Sequence, residues 1–534
     1  MRFKSMLKAS ALALAFAVPV TLAGMAEAKT FRFANDGDLG SMDPYYRNET
    51  FSLTVLNNVY EGLFRRKPDL TIEASLAESW SQPNPTTWRF NLRKGVKFQD
   101  GTPFTADDVV FSINRAATPP SNMVGYFASF QEVKKVDDYT VDYITKFPDP
   151  LIPDNLAYIF IMSKAWAEKH GAQKATDLTK PTEENYATRN ANGTGPFTLK
   201  SREPNSRTTF ARNADWWDKS AKTNVTEVNF SVVSNAATRT AALLSGEVDM
   251  VYTVPPQDVE RISRNPGTKI LQTAETRVVY LGFDQSRDEL LESNIKGKNP
   301  FKDARVREAF YRAIDIEAIK SRVMRGQATP TALMVAPGVR GYSKTLDVRP
   351  KHDVALSKKL LADAGYPNGF EVGLDCPNDR YVNDEAICQA VTAMLARAGV
   401  KVNLNAQTRT KYFAKILGPG YTTSFFMLGW APATVDSHNA FLNLIQTRSA
   451  EKKTGTFNVG GYSNPKFDEL ADKIAQETDD AKRSAMIAEA TRIYVDDFAY
   501  IPLHAQALIW AVRDNIEIAQ YADNEMPWRH IVVK

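Results

Sequence analysis

Strand and helix signals alternate along this chain without a break, and that interleaving limits the fold more than any other feature. Phe31-Arg32-Phe33 reads as an alternating strand start, followed by a Gly/Asp loop over 35–44 and a helix through Val55 and Tyr60. In WRFNLRKGVKFQDG (88–101), Trp88, Phe90 and Leu92 alternate, Lys94-Gly95 turns and Asp100-Gly101 turns again, which predicts a hairpin. Thr105 and Asp108 stand at capping-box spacing, with Asp in place of Glu, ahead of a helix through Val109, Val110 and Ile113. Helices are predicted over 304–318, where Val306, Ala309, Phe310 and Ala313 share a face, over 353–364 ending at Gly365, and over 386–398 ending at Gly399. Val400, Val402 and Leu404 then alternate as a strand, and 465–474 and 481–494 are the last long helices. Strands over 226–233 and 277–283 separate these blocks. No internal repeat, low-complexity tract or Pro/Ser-rich linker divides the chain. The expectation is an α/β protein of intertwined lobes, and 534 residues suffice for about two to four domains.

The N-terminus predicts export. Arg2, Lys4 and Lys8 precede an uncharged run over 9–24 and then Ala26-Glu27-Ala28, the layout of a secretory signal cleaved after Ala28. The apolar run is Ala-rich and shorter than the roughly 20 residues that span a bilayer. No Cys lies near it to carry a lipid, so a freely soluble protein held in a Gram-negative periplasm is expected. The chain has 66 basic and 62 acidic residues, net +4, and loss of three bases and one acid with residues 1–28 leaves +2. That balance, with no Lys/Arg block, argues against nucleic-acid binding. The only cysteines, Cys376 and Cys388, lie in one segment; an oxidising compartment favours a disulfide between them over two free thiols.

Catalytic signatures are missing. There is no phosphate loop, no G-x-S-x-G elbow and no H-E-x-x-H helix, and the five histidines are scattered, which predicts neither catalytic residues nor a metal site. Asp436-Ser437-His438 invites a hydrolase reading. Three consecutive residues of an extended chain point to alternate sides, so they cannot form an in-line relay. The loop GWAPATVDSHNAF (429–441) instead follows Phe425-Phe426-Met427-Leu428, which reads as a buried strand, and loops after such strands line clefts.

Several segments carry a family resemblance: NVYEGLF (58–64), LAESW (76–80), LRKGVKFQDGTPFTADDVVFSINR (92–115), GTGPFTLKS (193–201), SGEVDM (245–250), YLGFD (280–284), DARVREAFYRAID (303–315), LLADAGYPNGFEV (360–372) and YIPLH (500–504). The chain resembles the periplasmic solute-binding proteins of ABC importers, of the dipeptide/oligopeptide/nickel-binding class. The resemblance implies two α/β lobes joined by a hinge of two crossing strands near 280–284 and 500–504, with an extra small domain in the first lobe. Lobe I is expected over 29–70, 193–283 and 504–534, the extra domain over 71–192 and lobe II over 284–503. It also implies a non-enzymatic monomer without cofactor that closes on a solute and delivers it to an inner-membrane permease with cytoplasmic ATPase subunits.

By the same resemblance the ligand site draws on Asp38, Leu39 and Gly40, on Tyr252 and Thr253, on Tyr280, and on the loop from Trp430 and Ala431 to Asp436. Trp430 offers a flat apolar wall. Peptide-binding relatives carry an Asp, which pairs with the ligand's ammonium, where this chain has Ala433. Either Asp436 or Asp38 substitutes, or the ligand lacks a free ammonium, since a buried ammonium without a carboxylate costs several kcal/mol. Arg380 either binds a ligand carboxylate or pairs with Asp379 or Asp384. A peptide or peptide-like solute is the leading expectation. A non-peptide solute (opine-like conjugate, oligosaccharide or metal chelate) is the alternative, and a secreted hydrolase is the alternative of another class.

Overall fold

The structure is a computed structural model that describes residues 29–177, 180, 182–418 and 420–534. The export signal and its cleavage point lie outside the described residues. One eleven-stranded sheet runs through the molecule. At its centre two long strands, Thr268–Phe283 and Tyr500–Arg513, pair antiparallel from Thr268 opposite Arg513 to Gly282 opposite Tyr500. On one flank Lys29–Asn35 lies parallel between Met250–Val251 and Val225–Val232. On the other, Phe425–Trp430 joins Thr268–Phe283 antiparallel, and Glu371–Pro377 and Lys401–Gln407 extend the sheet in parallel. Each long strand therefore passes from one half of the sheet into the other. Their ladder breaks between Ala274 and Val278.

The pleat sorts side chains to both faces. Val279, Leu281 and Phe283 enter one buried cluster with Phe310, Val372 and Leu374, whereas Tyr280 points into another with Phe426, Leu428 and Phe441. Phe31 and Phe33 are fully buried in a third cluster, which continues into Phe90, Val109 and Ile113. The latter residues belong to a separate four-stranded antiparallel sheet, ordered Ala77–Asn84, Thr87–Leu92, Thr140–Thr145 and Phe130–Asp137, and to the helix Ala106–Ala117. The Thr105/Asp108 capping box that starts this helix is formed. Among the described residues no helix is long and apolar enough to cross a membrane.

Three local expectations change, the first being that the helix expected through Val55 and Tyr60 spans only Thr50–Leu56. Residues 88–101 are not a hairpin. Thr87–Leu92 pairs with strands on either side of it, and only the second turn closes, with Phe98 N–H donating to Thr102 O and Phe104 N–H to Val96 O. The strand's alternation was visible, but its partners lie before and beyond the segment. The helix expected over 304–318 stops at Ala313, because Asp315 caps a new turn, accepting from Ala318 N–H. Asp favours caps over helix interiors, and here it wins over the apolar periodicity.

Cys376, at the end of Glu371–Pro377, and Cys388, in the helix Asp384–Arg397, form a disulfide with Cα atoms 6.6 Å apart. The bridge closes the loop that carries Arg380 and Tyr381.

Candidate functional site

Phe425 to Leu428 are buried, and the strand comes into the open at Gly429 and Trp430. There it meets a cavity of about 580 Å³ whose walls come from the loop 429–434, the helix Thr50–Leu56, the strand bend at Thr276-Arg277, the disulfide-closed loop and the C-terminal segment 523–525. Gly429 permits close packing: a Cβ there would stand 2.7 Å from the Tyr381 ring. The Tyr381 hydroxyl instead accepts the Gly429 N–H at 2.8 Å. Trp430 donates from Nε1 to Asn439 Oδ1 at 3.0 Å and leans on Phe457, ring centroids 5.0 Å apart. Its orientation is thus fixed before any ligand arrives.

Asp436 does structural work behind this loop. It is fully buried, caps the turn Ser437–Ala440 by accepting from His438 N–H, and takes both Nη atoms of buried Arg483 at 2.7 and 2.8 Å. Ser437 Oγ donates to Arg340 O. His438 is buried and pushed down to about 4 by burial, so it is neutral at pH 7. Asp436-Ser437-His438 is a helix start rather than an extended run, and each side chain is committed elsewhere. Val435 just before it takes a left-handed φ of 53°, costly for a β-branched residue and held by the Arg340 N–H to Val435 O bond and the Asp436–Arg483 pair.

The structure brings Trp430, Ala431 and Arg380 to the cavity wall, together with Ala433. The other residues singled out by resemblance do not line it. Asp38 is clamped by both Nη atoms of Arg202 at 3.0 and 2.9 Å and by Asn205 N–H; burial alone would raise its pKa, but Arg202 holds it below the usual carboxylate value. Leu39 is buried, Gly40 forms a left-handed turn, and Thr253 is half-buried. Tyr280 lies beneath, edge-on to Tyr500. Tyr252 stands behind the wall, donating its hydroxyl to Asn524 O at 2.8 Å. Neither Asp436 nor Asp38 lines the cavity, and both are held by arginines, Arg483 and Arg202.

Arg380 is the open cation of the site. Asp384 accepts its backbone N–H, and Asp379 accepts that of Arg409, so neither acid holds the guanidinium. Among the described residues Arg380 forms no ion pair; its guanidinium stacks over Tyr381, 5.1 Å from the ring centroid. Enclosure by the cleft walls, and then the charge of Arg277, lower its pKa. Arg277 differs in being paired, its Nη2 3.3 Å from Glu275 Oε1.

Asp523 and Glu525 were not singled out from the sequence, yet both line the cavity and both are buried. Tyr158 donates to Asp523 Oδ2 at 3.3 Å, Glu525 N–H donates to Asp523 Oδ1 at 3.0 Å, and Asn57 donates to Glu525 Oε2 at 3.1 Å. Burial, reinforced by the Asp523 charge, pushes Glu525 up to about 8; burial raises Asp523 as well. In the sequence YADNEMPWRH they look like two acids of a polar turn, and only the fold carries them to the cavity that Arg380 also lines. Among the described residues no three His, Cys, Asp or Glu side chains are grouped to hold a metal ion.

Known proteins place this architecture. The family model described as "Bacterial extracellular solute-binding proteins, family 5 Middle" matches residues 71–452. The glutathione-binding protein GsiB of Escherichia coli (strain K12) is 25% identical over 497 residues, covering 92% of this chain and 91% of that one. Among solved structures, the periplasmic binding protein DppA from Helicobacter pylori aligns with a TM-score of 0.76 at 23% identity, over 95% of this chain and 98% of that one. CtaP from Listeria monocytogenes aligns with a TM-score of 0.81 at 20% identity, over 95% and 99%. The match spans most of the chain, and the protein belongs to the bacterial extracellular solute-binding proteins of family 5.

Proposed function

We propose that this protein captures a small peptide-like solute between two closing lobes and hands it to an ABC importer. Binding, not turnover, is the activity of the family. The observation that carries the ligand class is Arg380, a guanidinium without an ion pair among the described residues, on a cavity also lined by Asp523, Glu525 and the fixed indole of Trp430. A carboxylate satisfies the guanidinium bidentately, and an apolar side chain packs on the indole. A volume of about 580 Å³ suits a short peptide, within the roughly 300–1,000 Å³ usual for small-ligand sites. A peptide ligand is also in keeping with the name of the E. coli relative, which makes glutathione the first compound to test.

The lobes of this reading are 29–70 with 193–283 and 504–534, and 284–503, with 71–192 as the added domain. The two long central strands serve as the hinge, and ligand touching both lobes shifts the population toward the closed state. The protein works as a periplasmic monomer released after Ala28, and its partners are an inner-membrane permease and ATPase subunits.

The test is gentle denaturation of purified protein and mass spectrometry of what it releases, followed by calorimetry with the compounds found and with glutathione and a tripeptide panel. Recovery of a peptide-like acid supports the reading, and recovery of a neutral sugar overturns it. Arg380→Ala is expected to weaken binding of a carboxylate ligand by at least about tenfold without lowering Tm, since the side chain has no protein ion pair to lose.

A further inference from the structure

Asp523 and Glu525 are 9% and 6% exposed, and both line the cavity. Their hydrogen-bond donors are a tyrosine, an asparagine and a backbone amide, all neutral. Two arginines are close enough to act on them through space, Arg66 and Arg529, but neither stands within ion-pair distance among the described residues. Arg66 is occupied by Asp154, Leu70 O and Thr434 O. Tyr158, Tyr252 and Tyr521, the other titratable groups near the pair, are uncharged at neutral pH.

The segment that carries the two acids is rigidly placed. Asn524 O accepts from Thr54 Oγ1 at 3.0 Å and from Tyr252, Trp510 donates to Asn524 Oδ1 at 3.3 Å, and Thr276 N–H donates to Ala522 O at 2.9 Å. Two neighbouring buried carboxylates cannot both ionise unless a cation joins them. Among the described residues no cation forms an ion pair with them, and both line the cavity. An ammonium offers three donors on a compact charge, which matches two carboxylates approached from one side. The unpaired Arg380 on the same cavity supplies the complementary pole.

We propose that Asp523 and Glu525 together receive a ligand ammonium, so that the C-terminal segment supplies the acid that the loop lacks at Ala433. The proposal rests on the peptide-like reading above and adds which end of the ligand goes where. The ligand lies with its ammonium against 523–525 and its carboxylate toward Arg380.

Calorimetry on the purified protein tests it, using a tripeptide panel that includes glutathione, with free, N-acetylated and C-amidated ends. N-acetylation is expected to cost at least about tenfold in affinity, the order of loss when a buried charge loses its partner. In Asp523→Asn and in Glu525→Gln the free-amine peptide should lose a similar factor, while the acetylated peptide changes by less than about threefold. Should either variant fail to fold, the acetylation comparison on the native protein decides alone. An Nα-acetylated lysine peptide that binds until its side chain is also acetylated supports the ammonium site, with the side chain as the source. Peptides that bind equally well with every amine acetylated overturn the proposal while leaving the peptide reading intact. A panel in which nothing binds overturns the peptide reading and this proposal with it.

Discussion

Carboxylates divide sharply in this protein between those that hold the fold and those that face the cavity. Asp436 is of the first kind: fully buried, doubly bonded to Arg483, and at the root of the loop that presents Trp430. Removing one partner of such a pair strands the other charge away from water. Arg483→Ala is expected to cost about 3–5 kcal/mol in urea unfolding, and Arg483→Met with Asp436→Leu should recover much of it. Glu525 is of the second kind, and its effect on stability depends on pH. Burial, with the nearby Asp523 charge, raises it in the folded state to about 8, whereas an unfolded Glu titrates near 4.3. Between these values the folded chain holds a proton that the unfolded chain has released, so stability falls as pH rises through that window. His438, His504 and His530, each lowered to about 4, act below about pH 6.5, where they favour the folded state less as pH falls. The clean window is therefore pH 6.5–8. There the ligand-free protein is expected to lose stability with rising pH, and Glu525→Gln should flatten the slope; an unchanged slope would count against the raised carboxyl.

At the scale of elements, the sequence revealed what is local. The Thr105/Asp108 cap, the helix ends at Gly365 and Gly399 and the buried strand before Trp430 were all legible, because each is set by a few adjacent residues. What it hid is what depends on pairing at a distance. The partners of Thr87–Leu92 lie outside the segment that looked like a hairpin, and segment 521–525 is held at the cavity by bonds from distant residues, among them Thr54, Tyr252, Thr276 and Trp510. Trp430 and Arg380 were identified through resemblance, while Asp523 and Glu525 carried no local signal. The disulfide belongs to this scale too. It ties the end of a strand to the first turns of a helix, and the loop between them presents Arg380 and Tyr381. Replacing both cysteines by Ser should cost about 2–3 kcal/mol, as expected for a closed loop of this length. Carboxylate-dependent affinity should fall with it, and binding through other contacts should suffer less.

Across the whole molecule, contacts from distant segments meet the loop that walls the cavity. Arg66, at the end of Phe64–Arg66, donates to Thr434 O at 3.2 Å, and Asp154 accepts from both Arg66 and Arg340. These bonds join the N-terminal part of the chain to the loop around Trp430. Arg340 is about half exposed, so solvent screens its share, roughly 0–1 kcal/mol. Arg340→Ala is therefore expected to weaken every ligand by up to about fivefold, regardless of its chemistry, because it biases closure and touches no ligand group. A ligand-selective effect in calorimetry would contradict that role.

The broken ladder between Ala274 and Val278 has a kinetic consequence. Thr276 and Arg277 sit in that gap and also form part of the cavity wall, so on the proposed reading a solute in the cavity rests against the pivot of the two central strands. On that reading points at the pivot hardly move when the arms swing, whereas Trp430 and Arg380, which it assigns to one arm, travel. Groups beside the axis are present at first encounter and govern how fast solute is caught. Groups on the moving arm engage afterwards and govern how long it is kept. Stopped-flow traces should accordingly place Trp430→Ala and Arg380→Ala mainly in the dissociation rate.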